Sequence, residues 1–120
     1  MRGSGTLEAA NALLGSGSLA GIRLASWTGS EKIARFEVFH VEWDGVVFGE
    51  LVFHGVAYVQ APARTSWGYS IRIAPHADLA LRVDVDTGEV VYELYTADAA
   101  EPSAFVVAHA LEVRVATRER

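Results

Sequence analysis

Along most of this chain apolar and polar residues alternate with a period of two, the repeat of a strand that buries one face. The longest such stretch runs from Phe36 to Tyr58, where two runs of β-branched and aromatic residues flank the pair Asp44-Gly45. A two-residue type I′ loop needs positive φ at both central positions, and Asp-Gly supplies it. A hairpin is therefore predicted with arms at 33–43 and 46–60. Further strands are predicted at 19–27, 67–73, 79–85, 90–96 and 105–115. In the segment 67–73, Trp67, Tyr69, Ile71 and Ile73 take the buried positions. Thr28-Gly29-Ser30, the stretch 61–66 with Pro62, the turn Asp86-Thr87-Gly88-Glu89 and the polar stretch 97–103 separate the strands. Helical spacing occurs once. Thr6 can cap a helix that puts Leu7, Ala10, Leu13 and Leu14 near one face, and Gly15 and Gly17 stop it. The ends, 1–5 and 117–120, are expected to fray.

About seven strands with short connections predict an all-β fold with a short N-terminal helix. Its architecture is a single antiparallel sandwich or partly open barrel in meander order, one domain over 1–120. A two-residue loop sets Trp43 opposite Val46 and fixes which side chains share a face. Near the tip one face carries Trp43, Val41, Phe39, Val46 and Phe48, and the other carries Glu42, His40, Val47 and Gly49. Further out the first face turns polar with Glu37, Arg35, Glu50 and His54, while the second becomes Val38, Phe36, Leu51 and Phe53. Both arms change apolar side together, around Val38-Phe39 and Glu50-Leu51. That predicts a bend of the whole hairpin, as at a sandwich or barrel corner, and not a bulge in one strand. A longer loop at Asp44-Gly45 would change the register.

This register bears directly on the candidate chemistry. His40, Glu42 and His54 are ligand types for zinc or iron, but His54 falls on the face opposite His40 and Glu42. No metal is expected there, only solvated or ion-paired side chains. His109, between Val107 and Leu111, is expected to be buried and neutral with one hydrogen-bond partner. An acid–base role for His109, or for His40 with Glu42, is the enzymatic alternative. His76 follows Pro75 and has no evident partner. Asp84-x-Asp86-x-Gly88-Glu89 departs from a calcium loop: its glycine comes one place early, and Tyr95 stands where the bidentate glutamate belongs. The serines lack a strand-to-helix elbow, and Gly15-Ser16-Gly17 lacks the lysine of a phosphate loop. No catalytic residue and no cofactor is assigned.

Composition narrows the classes further. There is no cysteine, which excludes disulfides, thiolate metal sites and cysteine nucleophiles. With 51% of residues apolar the chain is globular, yet no apolar run approaches the roughly 18 to 20 residues of a membrane-spanning helix. The N-terminus lacks the apolar segment of a secretory signal, so a cytoplasmic location is expected. A net charge of −5, with nine arginines and one lysine, argues against nucleic acid and, for a charged partner, toward a basic protein. Among the aromatics, Trp43 and Trp67 stand at strand ends beside loops, where such side chains anchor interfaces.

The run Trp43-Asp-Gly, then Leu51-x-Phe53-x-Gly55-Val56-x-Tyr58, then Trp67 and a final Phe105-Val-Val-Ala-x-Ala-Leu-Glu-Val resembles small uncharacterised bacterial β proteins. Immunity proteins of polymorphic toxin systems are among them. The resemblance rests on structural glycines and core positions, covers the middle half of the chain and carries no functional residue over. It implies a protein that works by binding another protein. The leading expectation is accordingly a non-catalytic binding module whose contact residues are Trp43, Asp44, His40, Glu42 and Trp67. Neutralisation of a basic toxin is its sharpest form. A small-ligand barrel with a pocket at Phe105, Val107 and His109 is the alternative, and an enzyme using a histidine comes third.

Overall fold

A computed structural model describes residues 2–15, 19–43, 46–62, 67–74, 88–96, 99 and 101–116. In chain order the elements are α1 (Arg2–Leu14), β1 (Ala20–Thr28), β2 (Ile33–His40), β3 (Val47–His54), β4 (Tyr58–Gln60), β5 (Ser70–Ile73), β6 (Val90–Tyr95), β7 (Ala104–Ala108) and β8 (Ala110–Val115). The strands form two antiparallel four-stranded sheets, ordered β1-β2-β3-β8 and β4-β7-β6-β5. They pack face to face without closing into a barrel, so the sandwich is the expected architecture that forms. Sequential neighbours pair in β1-β2-β3 and in β5-β6-β7, as in a meander. The order departs from a meander where β8 returns beside β3 and β4 lies beside β7.

The departure has one cause. Each of the expected long strands at 46–60 and 105–115 is broken, the first around Gly55 and the second at His109. Since β3 pairs with β8 and β4 with β7, these four strands are two halves of one ribbon that leaves the first sheet and enters the second. His54 pairs with Ala110 and Tyr58 with Val107, leaving three residues on one arm against two on the other. That extra residue is a bulge, the usual device for turning a sandwich corner. The His109 amide donates to the His54 carbonyl at 3.0 Å and the Ala57 amide to the Val107 carbonyl at 2.8 Å, so pairing persists through the corner. Gly55 sits there at φ 67°, and a Cβ on it would lie 2.6 Å from His109 Cδ2. Left-handed backbone and close approach both require glycine. The corner is thus at Gly55 and His109, not at Val38-Phe39 and Glu50-Leu51.

Inward-facing residues follow the period of two. Ala34, Phe36 and Val38 of β2, with Leu51 and Phe53 of β3, meet Tyr92 and Leu94 of β6 and Ala104, Val106 and Ala108 of β7. Phe53 makes the aromatic contact between the sheets, 5.2 Å from the Tyr92 ring and 5.8 Å from Phe36. Each such phenyl contributes on the order of 2 kcal/mol by leaving water. On β5, Tyr69 before it and Ile71 within it are buried as expected, whereas Trp67 and Ile73 are 54% and 38% exposed. Ile73 lies on β5, the edge strand of its sheet, and Trp67 precedes that strand, so neither has a strand on both sides. Helix α1 adds Ala10, Leu13 and Leu14 to the core, as the spacing predicts. It begins at Arg2, so Thr6 lies inside the helix and does not cap it.

Between β2 and β3 the outer part of the expected pairing holds in its faces. Glu37 and Arg35 lie on the polar side with Glu50, and Phe36 lies opposite Leu51 on the core side. The register itself is displaced by two residues, with Glu37 opposite Glu50 in place of Val52. A bulge at Phe48 then separates the pairs Val38–Gly49 and Phe39–Val47, where a matched bend without a bulge was expected. Asp44-Gly45, His76, the strand predicted at 79–85 and the residues Asp84 and Asp86 lie outside the described residues. Gly88 does have the expected left-handed backbone, at φ 90°.

Candidate partner-binding end

Three backbone hydrogen bonds build one end of the molecule. The His40 amide donates to the Val46 carbonyl at 2.9 Å, closing the β2–β3 ladder. The next amide, Val41, turns the other way and donates to the Leu19 carbonyl at 3.0 Å. One residue further along that strand the Ala20 carbonyl accepts from Gly68 at 3.3 Å. Residues 19 and 20 therefore tie the bend 41–43 to the segment that carries Trp67. The expected contact of Val46 with Trp43 exists, since the Val46 amide donates to the Trp43 carbonyl at 3.3 Å. Pairing does not continue outward from it, because 41–43 leave the ladder and the strand resumes at His40.

His40 holds this bend. Its Nδ1 accepts the amides of Glu42 and Trp43, both at 3.1 Å, which leaves its ring proton on Nε2. The imidazole also stacks on the Trp43 indole, with centroids 4.1 Å apart and planes within 5°, while Phe48 backs it at 6.3 Å. One histidine thus fixes a tryptophan that remains 63% exposed. Among the described residues, six large hydrophobic side chains are exposed, and Trp43, Trp67 and Val115 of these belong to this end of the first sheet. His40, Glu42, Trp43 and Trp67 are brought to one end, and Asp44 lies outside the described residues.

The outer face of the first sheet is charged but balanced. Arg23 pairs with Glu37 at 2.6 Å, Arg35 with Glu50 at 2.7 Å and Arg114 with Glu112 at 2.9 Å. His54 Nε2 lies 2.9 Å from the same Glu112, at the far end of β3 from His40. Glu112, hydrogen-bonded first by Arg114 and then by His54, is held down to about 2. Among the described residues, Glu8, Glu31, Glu42 and Glu101 carry no ion pair, so the uncompensated acid lies off this face. Among the described residues no three histidine or acidic side chains gather as a metal site, and no helix is long and apolar enough to cross a membrane.

Phe105, Val107 and His109 do not line the space between the sheets. Ala104, Val106 and Ala108 face the core, so Phe105 and Val107 point away from it, into a second cluster with Ala74 and Val91. His109 is half-exposed at the corner and not buried. Its Nδ1 donates to the Gly88 carbonyl at 3.1 Å, and its Nε2 lies 3.9 Å from Glu89. Its place follows from the break between β7 and β8, which periodicity does not reveal. Sequence reasoning also missed Asn11, whose carboxamide accepts the Ile71 amide at 2.9 Å and donates to the Ile71 carbonyl at 3.0 Å. A poor helix former within the last turn of the helix was the available signal. No family model, curated protein or solved structure matches this chain.

Proposed function

We propose that this chain is a non-catalytic binding module that engages a basic protein through the end bearing Trp43 and Trp67. The observation that carries this reading is the fixed, exposed indole of Trp43, stacked on His40 at 4.1 Å with the bend locked by two amide bonds to Nδ1. An aromatic anchor already held in place loses little freedom on binding, which is where preorganised interfaces gain affinity. Charge supports a basic partner: the molecule carries −5, and Glu42 stands exposed and without an ion pair among the described residues beside that anchor. Neutralisation of a basic toxin is the sharpest form of this reading, in keeping with the resemblance to immunity proteins.

The test is binding to the product of the adjacent gene, by calorimetry. Trp43→Ala and Trp67→Ala are expected to weaken binding by about tenfold or more each. Glu42→Lys should weaken it more than Glu31→Lys, which sits at the opposite end of β2. Full affinity in both tryptophan variants would overturn the assignment.

A further inference from the structure

Two arginine–aromatic contacts are built into this fold, and they share three parts. The Arg23 guanidinium lies 4.6 Å from the Phe39 centroid, and its Nε donates to Glu37 at 2.7 Å. The Arg72 guanidinium lies 4.7 Å from the Tyr95 centroid, and its Nε donates to Glu93 at 3.1 Å. In each case a ring offers its face to the cation while a neighbouring carboxylate takes its N–H groups. Trp43 and Glu42 present the ring and the carboxylate without the arginine. His40 covers one face of the indole, and the 63% exposure of Trp43 leaves the other face to solvent. Indole is the strongest cation–π acceptor of the three rings. Arg23, Arg35, Arg72 and Arg114 are each held by a carboxylate of their own, so none of these supplies the missing cation.

We propose that Glu42 and Trp43 form a receiving site for an arginine side chain of the protein partner; this rests on the binding reading above and names what that end recognises. In the two internal examples ring and carboxylate are two residues apart on a strand. Here they are consecutive residues of the bend 41–43, where the strand's alternation of sides is interrupted and both amides converge on His40 Nδ1. A guanidinium suits the site better than an ammonium, since it stacks flat on a ring while donating in its own plane to a carboxylate.

The experiment follows the Trp43 indole N–H signal by NMR during titration with tetra-arginine, tetralysine and neutral tetracitrulline. Tetra-arginine is expected to shift that signal saturably, and about threefold or more tighter than tetralysine. Tetracitrulline should leave it in place. Glu42→Gln should weaken tetra-arginine by about three- to fivefold at low salt, and Glu31→Gln should not. A signal moved as much by tetracitrulline, equal affinity for tetralysine, or an unaffected Glu42→Gln variant overturns the proposal. A natural partner that needs Trp43, yet keeps its affinity when its surface arginines become lysines, sinks the arginine site alone. A partner indifferent to Trp43 and Trp67 sinks the broader reading.

Discussion

Gly55 and His109 decide more of this molecule than their neighbours do. At φ 67° a side chain on Gly55 is strained, and its Cβ would enter the His109 ring. Gly55→Ala should therefore destabilise the protein by about 2 kcal/mol or more, read from urea denaturation. Combining it with His109→Ala removes the ring atoms from the clash but leaves the Cβ contact at 3.0 Å and the backbone strain, so the double variant should lose less than the two single losses added. A glycine inside an alternating run can mark a bulge, but the alternation carries the predicted strand straight through Gly55 to Gln60. What Gly55 packs against was not legible either, because His109 is more than fifty residues away in the chain. The site was legible in part. Trp43, Glu42, His40 and Trp67 stand out as strand-end residues, whereas the stack of His40 on Trp43 depends on a bend that the Asp44-Gly45 pair does not announce.

Among the elements, α1 shows how an edge strand is protected without another strand. Ile71 presents its amide and carbonyl on the open edge of β5, and the Asn11 carboxamide satisfies both as a neighbouring strand would. Asn11→Ala should cost about 1–3 kcal/mol, because two partly buried backbone groups lose their partners. A change below about 0.5 kcal/mol in the urea midpoint analysis would show that water replaces the carboxamide without loss. The buried face of α1 was legible from Ala10, Leu13 and Leu14. The helix start was not, since Gly3, Ser4 and Gly5 are weak helix formers and no acidic residue marks the first turn.

At the scale of the whole molecule, charge is sorted by place. The outer face of the first sheet neutralises itself through Arg23, Arg35 and Arg114 with Glu37, Glu50 and Glu112, while Glu8, Glu31, Glu42 and Glu101 lie off it. Glu112 links that face to pH. Arg114 and His54 hold its carboxyl at about 2, below the ordinary 4.5, so the folded state favours the ionised form. Its contribution is therefore complete above the ordinary carboxylate range and is lost as pH falls through about 2. Thermal denaturation across that window should show a shallower acid loss in Glu112→Gln than in the parent. An identical slope would mean that Glu112 is not responsible. The sequence by itself determined the strand class, the core faces of β2 and β3 and the buried side of α1, because alternation and helical spacing are local. Only the tertiary structure decided that the ribbon crosses between sheets at Gly55 and His109, that β2 and β3 pair two residues out of the simple hairpin register, and that Trp43 rests on His40. Those choices depend on which distant strand completes a ladder and which distant side chain fills a corner, and the period of two is the same for every choice.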